Sequence, residues 1–304
     1  MNWLCRRFLN SIFYGNYFYG ICAVALCIET NLIHNLSLDI FPFYLLIFSC
    51  TWIYYTMIYV RSVGARNYDE RTLWYGRHLK IIKLLLKLAL ALVATFILYL
   101  LIKNLNSFYG FKVFQWLMIL VFPLVAALYT FKFPLFNSKK IRQIGWLKPF
   151  VVGFTWSGWV TVYPVLVWQV QAGVSPGNPV IPSGLFWLQN FLFISILAII
   201  FDIKDYRTDV RLRLNTYPAK LGIRNTFRYV IYPVFIFNMI VFFLFQRQKN
   251  FSPMQTFLQL LPYLFLLWVI LTHRKPREVL YYLVAIDGLM FLQAICGIIS
   301  ISFF

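Results

Sequence analysis

The residues best suited to chemistry in this chain are three aspartates, Asp202, Asp205 and Asp209, in the stretch FDIKDYRTDVRLRLNTYPAKLG. They directly follow the apolar run FLFISILAII, in a chain that has only nine acidic residues. If a helix continues past Phe201, the three side chains fall within roughly 60° of arc, because successive residues turn by about 100°. Three carboxylates on one helix face repel each other, so they need positive charge between them.

Two kinds of partner could supply that positive charge. Hard divalent cations such as Mg²⁺ bind carboxylate oxygens and often hold a phosphate group at the same time. Basic side chains nearby could instead neutralise the carboxylates or bind a diphosphate themselves; they are Lys204, Arg207, Arg211 and Arg213. A solvated helix end with ion pairs would have the same spacing. The position of the cluster at the end of an apolar segment favours a functional site, since ionisable groups there usually have a role.

The elements that must position these residues are membrane-spanning helices. Of the 304 residues, 61% are hydrophobic and only 12% are charged, which lies far outside the range of soluble proteins. About nine apolar runs have the roughly 20 residues needed to cross the hydrocarbon core; they cover residues 8–28, 41–60, 82–102, 112–130, 149–170, 185–201, 227–246, 254–272 and 279–303. None alternates with period two, so helices are predicted rather than a barrel. We therefore predict an all-α, multi-pass membrane protein with a single domain over residues 1–304.

The net charge of +19 indicates membrane topology rather than a nucleic-acid partner. Most of the Lys and Arg residues lie at the N-terminus and in the loops after the second, fourth, sixth and eighth spans. The positive-inside rule then places the N-terminus and these even-numbered loops in the cytoplasm, with the C-terminus outside. We expect the bacterial inner membrane as the location, and membrane lipids as partners.

Other reactive side chains give weaker signals. The five cysteines and three histidines lack the spacing of a metal or redox site, so packing roles are expected for them. Asp287 is the one acid within the ninth span, where a buried charge is unusual.

The stretch DIKDYRTD followed by NTYPAKLG resembles the second aspartate-rich motif of the UbiA-type family of integral-membrane prenyltransferases. The number of spans, the inner loops after spans two and six, and WLKPFVVGFTW at the start of span five are also similar to that family. The resemblance implies a bundle of nine helices around a central cavity. It further implies Mg²⁺-dependent transfer of an isoprenyl group from an isoprenyl diphosphate to an aromatic or lipid acceptor, at the cytoplasmic side.

The resemblance also implies roles for individual residues. Asp202, Asp205 and Asp209 would be the catalytic and metal-binding carboxylates. The residues expected to bind the diphosphate substrate are Lys204, Arg213, Arg61 and Lys148. Aromatic faces attract cations, so Trp156, Trp159 and Tyr163 on span five are candidates to line the cavity that protects the carbocation, although such residues more often serve in packing.

The chain departs from the family where the first acidic motif is expected, at the end of span two. It reads Val-Arg-Ser at residues 60–62, and Asp69 and Glu70 are the only acids in the following loop. These two acids could supply a displaced second metal site. The interpretation we favour is that they are ordinary loop charges paired with Arg66 and Arg71.

The degenerate first motif leaves alternative functions open. Arg61 could replace a metal by charge, because a guanidinium binds phosphate through two hydrogen bonds. The main alternative is a catalytically impaired relative that binds isoprenoids or lipid headgroups, or that acts as an interaction partner in the membrane. A transporter is a weaker alternative, since the spans contain little buried charge and no clear broken helices.

Overall fold

The computed structural model describes residues 10–64, 70–105, 110–130, 144–173, 181–273 and 275–304. Helices make up most of this part of the chain, and it contains no β-strand. We number its nine long helices α1 Tyr17–Ile33, α2 Phe41–Ser62, α3 Glu70–Lys103, α4 Val113–Thr130, α5 Lys148–Gln171, α6 Gly184–Asp202, α7 Ile223–Lys249, α8 Pro253–Thr272 and α9 Val279–Phe303. Two short helices, Tyr206–Arg211 and Tyr217–Leu221, lie between α6 and α7.

The long helices correspond to the apolar runs of the sequence. Seven of them, namely α2, α3 and α5 to α9, are long and apolar enough to cross a membrane. The other two, α1 and α4, are also apolar but shorter, with 17 and 18 residues. The prediction of an all-α, multi-pass membrane protein is therefore confirmed.

The start of the third helix differs most from its predicted position. The helix begins at Glu70 instead of residue 82, so much of the predicted inner loop is helical. The apolar run used to place the span misses this first part because it contains charged residues. Tertiary packing decides its structure: Arg71, Thr72 and Tyr75 all point inward and are buried.

Helix α1 lies at the centre of the helix packing. It contacts α2, α9 and the middle of α5. The most extensive contact in the bundle joins α5 to α6, while α3 packs on α2, α7 on α6, and α8 on α9. The C-terminal end of α6, where the predicted site lies, is thus held by α5.

Buried polar side chains fix how the central helices pack together. Thr30 Oγ1 on α1 donates a hydrogen bond at 2.7 Å to the carbonyl oxygen of Val160, which lies in a π-helical turn of α5. Asn190 Nδ2 on α6 donates to Thr161 Oγ1 at 3.1 Å, and Gln293 Nε2 on α9 donates to Asn190 Oδ1 at 2.5 Å. Apolar helix surface packs about as well against lipid tails as against another helix, so hydrogen bonds of this kind help to hold membrane helices together.

The contact between α5 and α6 depends on a glycine. A Cβ atom at Gly153 would lie 2.2 Å from Ser195 Oγ and 2.6 Å from the carbonyl oxygen of Phe191. Only a residue without a side chain lets the two helices approach this closely. Gly184, on the first turn of α6, has no atom within 4 Å of the same ideal position.

We expect Gly153→Ala to lower the free energy of unfolding by about 1–3 kcal/mol, because the added methyl group forces two packed helices apart. Gly184→Ala is the matched control and should have little effect. Thermal or denaturant unfolding of the detergent-solubilised protein measures the difference. Equal stability of the two variants would show that α5 and α6 are not in close contact.

Candidate functional site

The three aspartates of the predicted site do not lie on one continuous helix. Helix α6 ends at Asp202, the chain turns at residues 203–205, and a new short helix, Tyr206–Arg211, carries Asp209. The condition that would place all three side chains on one helix face, a helix continuing through Asp209, is therefore not met. Ile203, directly after the helix, is fully buried in the largest cluster of packed hydrophobic side chains. The chain therefore turns into the core at this point, and α6 does not continue.

The three aspartates, which we call the aspartate cluster, differ in exposure. Asp202 and Asp209 are buried, at 1% and 6% exposure. Asp205 is partly exposed, and its Oδ1 lies 3.4 Å from Lys204 Nζ. Two of the three carboxylates are therefore shielded from water. In such a buried position a charge without a partner is costly.

Lys148 provides the positive charge beside Asp202. It is the first residue of α5, and its Nζ forms a part-buried ion pair with Asp202 Oδ1, in which the Lys148 side chain is 25% exposed and that of Asp202 2%. The other carboxylate oxygen of Asp202, Oδ2, is buried and has no hydrogen-bond partner among the described residues. A buried oxygen without a partner carries a large desolvation penalty. It is the atom in the cluster best placed to accept a cation or a donor from a ligand.

Asp209 is held by a residue that the sequence analysis did not single out. Thr216 Oγ1 donates a hydrogen bond to Asp209 Oδ2 at 2.9 Å, and Thr216 is itself buried. Burial raises the pKa of the Asp209 carboxyl above its ordinary value, and the bond from Thr216 and the charge of Lys148 partly offset this. The threonine of the NTYPAKLG stretch was the available signal, since it lies seven residues after Asp209.

The cluster can be tested for its fit to Mg²⁺. Among the described residues, no three His, Cys, Asp or Glu side chains converge in a way that could hold a metal ion. Mg²⁺ is commonly bound by only one or two protein carboxylates together with substrate phosphates. The unpartnered Asp202 Oδ2 and the partly exposed Asp205 fit an ion of this kind, one that arrives with its phosphate ligand.

The other basic residues of the predicted site lie in different surroundings. Lys204 is mostly buried, and its Nζ lies 5.1 Å from the centre of the Phe201 ring. Arg213 is exposed, with a left-handed backbone at φ 52°. Arg61 is exposed in the last turn of α2. Lys148 and Lys204 thus contact the aspartate cluster, whereas neither arginine forms an ion pair with it.

Arg71 is a buried structural residue, not a loop charge. It is only 1% exposed, and its Nη1 donates to Tyr59 Oη at 2.9 Å. Its Nε and Nη2 donate to the carbonyl oxygens of Tyr14 and Phe13, both at 3.2 Å, and Nη2 also donates to Asn16 Oδ1. The planar guanidinium, with its fixed set of donors, joins the segment before α1 to α2 and α3.

The acids near the start of α3 do not pair as expected. Glu70 is exposed and accepts a hydrogen bond from Tyr14 Oη at 3.1 Å, and it forms no ion pair with Arg71. The favoured interpretation of Glu70 and Arg71 as a loop pair was therefore wrong, because burial of Arg71 directs its guanidinium to backbone carbonyls. Asp69 and Arg66 lie outside the described residues.

The candidate cavity-lining aromatics on α5 all make hydrogen bonds to neighbouring helices. Trp159 Nε1 donates to Thr51 Oγ1 at 3.1 Å, and Tyr163 Oη donates to the Ile119 carbonyl at 2.5 Å. These contacts are typical of packing residues. Trp156 is different, because its Nε1 donates to Tyr55 Oη at 2.6 Å within a group of stacked aromatic rings.

We expect Lys148→Met to destabilise the protein by about 3–5 kcal/mol, because it leaves the Asp202 charge buried without compensation. The double variant Lys148→Met/Asp202→Asn removes both charges and should recover most of the loss. Denaturant unfolding in detergent measures both. If the single and double variants were equally stable, the ion pair would be energetically unimportant.

Arg71→Lys should destabilise the protein by about 3 kcal/mol or more, because the ammonium group cannot reach four acceptors and each bond to a charged group contributes about 1.5–3 kcal/mol. Arg77→Lys makes the same change at an exposed position of α3 and should have almost no effect. Thermal unfolding compares them. Identical midpoints would show that the guanidinium geometry of Arg71 is not needed.

Comparison with known proteins gives a match in structure but not in sequence. No family model and no curated protein matches the chain. A solved structure, that of a UbiA homolog from Archaeoglobus fulgidus bound to GPP and Mg²⁺, aligns with a TM-score of 0.52 over 95% of this chain and 99% of the homolog, at 12% sequence identity. Similarity at this low identity concerns the fold alone. The protein is therefore an all-helical membrane protein with a fold similar to that of the UbiA homolog.

Proposed function

We propose that this protein transfers an isoprenyl group from an isoprenyl diphosphate to an aromatic or lipid acceptor, in a Mg²⁺-dependent reaction at the cytoplasmic face of the membrane. The observation that carries the proposal is the buried aspartate cluster at the end of α6, where Asp202 Oδ2 has no partner and Lys148 and Lys204 lie alongside. The similar fold of a UbiA homolog bound to GPP and Mg²⁺ supports it.

The proposed roles follow from charge and burial. Asp202 and Asp205 would contact the Mg²⁺ ion, and Asp209, held by Thr216, would add negative charge beside them. When bound, this ion would act as a Lewis acid that stabilises negative charge on the departing diphosphate. Basic residues would bind the diphosphate oxygens directly: Lys148 and Lys204 from positions beside the cluster, with Arg213 and Arg61 as more distant candidates.

The ion pair between Lys148 and Asp202 has a specific part in this proposal. A magnesium diphosphate offers a cation to the carboxylate and an anion to the ammonium group at the same time. At Asp202 the metal cation would then replace the ammonium group of Lys148. At Lys148 the diphosphate anion would replace the carboxylate of Asp202. Because each charge stays compensated, opening the pair need not leave an unpaired charge in a low-dielectric region.

The fixed positions of Lys148 and Lys204 would also help to cleave the carbon–oxygen bond of the isoprenyl diphosphate. As the allylic bond breaks, negative charge accumulates on the diphosphate oxygens, and fixed ammonium groups beside them lower the energy of that state. Lys148 is fixed by its position on the first turn of α5, and Lys204 by its contact with the Phe201 ring. Both are therefore oriented before the substrate binds.

A binding protein without catalytic activity is the second candidate. It is favoured by the lack of acids at residues 60–62 and by the direct pairing of Lys148 with Asp202. In this case the same basic and acidic groups would hold an isoprenyl diphosphate or a lipid headgroup without cleaving it.

Asp202→Asn and Asp209→Asn should each reduce Mg²⁺-dependent prenyl transfer by about 100-fold or more, because each removes a carboxylate proposed to support the metal ion. Glu278→Gln changes an exposed acid before α9 and should keep normal turnover. The assay uses membranes or purified protein with radiolabelled isoprenyl diphosphates and a panel of phenolic and lipid acceptors.

The outcomes separate the two candidate functions. Full turnover in both aspartate variants would contradict the proposed metal site. Tight binding of an isoprenyl thiodiphosphate, with no consumption of the normal diphosphate under any acceptor, would support the binding protein. Absence of both binding and turnover would reject both candidates.

A further inference from the structure

Helix α9 carries a buried carboxylate that the proposed diphosphate site does not include. Asp287 is 6% exposed, and Tyr19 Oη on α1 donates a hydrogen bond to its Oδ2 at 2.6 Å. No described residue donates a hydrogen bond to its other oxygen, Oδ1. A carboxylate inside a membrane bundle is costly and usually has a function, and this one keeps an oxygen that a ligand could contact.

Asp287 lies close to the aspartate cluster and slightly deeper in the bundle. Its backbone N–H donates to the carbonyl of Tyr282, one π-helical turn earlier, at 3.0 Å. The Tyr282 ring lies 5.4 Å from the ring of Phe201, which immediately precedes the cluster. Lys204 is near enough to act electrostatically on both Asp287 and Asp209. The aspartate cluster and Asp287 therefore share Lys204 as a charged neighbour.

Aromatic rings surround the hydrogen bond between Tyr19 and Asp287. The Tyr19 ring stacks on Tyr55 of α2, with centroids 4.3 Å apart and planes at 14°. Trp156 of α5 lies 6.4 Å from Tyr19 and donates a hydrogen bond to Tyr55. Aromatic faces attract cations, so this group is suited to contact an allylic group that becomes positively charged.

The charges around Asp287 suit a group that accepts and then releases a proton. The cations that act on it are Arg71 and Lys204, and the neutral titratable groups near it are Tyr19, Tyr55 and Cys22. Burial disfavours a charged carboxylate, whereas nearby cations favour it. Arg71 is fixed by its own hydrogen bonds, so it supplies constant charge and does not move toward substrate.

We infer that Asp287 is the general base that takes the proton lost by the acceptor, and that the acceptor carries a weakly acidic hydroxyl group; this inference rests on the proposed function. The acceptor O–H gives its proton to Asp287 Oδ1, and the resulting nucleophile forms a bond to C1 of the isoprenyl group. The bond between C1 and the diphosphate oxygen breaks, and its electron pair leaves with the diphosphate. Asp287 then returns the proton to water.

Tyr19 is a positioning residue in this scheme. Its hydroxyl group fixes Oδ2 of Asp287 and thereby directs Oδ1 away from the bond between them. Its ring remains stacked on Tyr55 whether or not the hydroxyl is present. Tyr19→Phe should therefore lower the rate of transfer less than loss of the carboxylate does.

The direct test is Asp287→Asn. General base catalysis contributes about 10²–10⁴-fold, so kcat for transfer should fall by about 100-fold or more. Binding of an isoprenyl thiodiphosphate with Mg²⁺ should remain unchanged, because the diphosphate site does not include Asp287. Glu29→Gln is the matched control, since it changes another buried carboxylate, 3% exposed on α1, and it should keep normal turnover.

A second measurement needs no variant and so does not depend on folding of Asp287→Asn. The wild-type protein is assayed with a phenolic acceptor and with the methyl ether of the same compound. The phenol should be prenylated at least about 100-fold faster, because only the phenol has the proton that the base removes. Equal rates for phenol and ether, or wild-type kcat in Asp287→Asn, would overturn the inference.

Failure of this inference differs from failure of the proposed function. If the wild-type protein transfers no isoprenyl group to any acceptor, the proposed function fails and the inference with it. If the wild-type protein transfers the group and Asp202→Asn abolishes transfer, but Asp287→Asn retains full activity, only the assignment of the base is wrong.

Discussion

The architecture of the site depends on the close contact between α5 and α6. Gly153 allows the backbones to approach, and the same contact brings Lys148 at the start of α5 to Asp202 at the end of α6. A carboxylate in this position would be strongly destabilising without a countercharge. The ion pair thus allows the bundle to keep a buried acidic group at the C-terminal end of α6.

The same requirement for charge compensation operates elsewhere in the bundle. Arg71 is buried but has backbone carbonyls and Tyr59 as hydrogen-bond acceptors, while Asp287 has the hydroxyl of Tyr19. Each of these two buried charges therefore has a polar partner on another segment. Asp202 keeps one oxygen without a partner in the described part of the chain, and the neighbouring Phe201 ring contacts Tyr282, which lies one π-helical turn before Asp287. Buried carboxylate oxygens without a partner among the described residues also occur away from this site, at Glu29 Oε2 and Asp39 Oδ1.

Much of the fold could be predicted from sequence because a membrane constrains helices strongly. Apolar runs of sufficient length have few alternatives to helix, and the structure has a helix in each predicted span, although a turn at residues 15–16 interrupts the first. The start of α3 was missed because charged residues interrupt the apolar run there. The hydrophobic pattern could not show that one of these charged residues, Arg71, is buried. The break after Asp202 was missed because helical periodicity gives no signal for a turn that depends on core packing of Ile203.

The sequence by itself determined the all-helical membrane character and the position of the aspartate cluster at the end of an apolar segment, since both depend on local composition. Only the tertiary structure decided which charges meet. Lys148 and Asp202 are separated by 54 residues, and Tyr19 and Asp287 by 268. Local hydrophobic pattern shows whether a residue avoids water, but it does not specify its partner on another helix. That choice depends on helix contacts set by residues such as Gly153, whose effect exists only after the bundle has assembled.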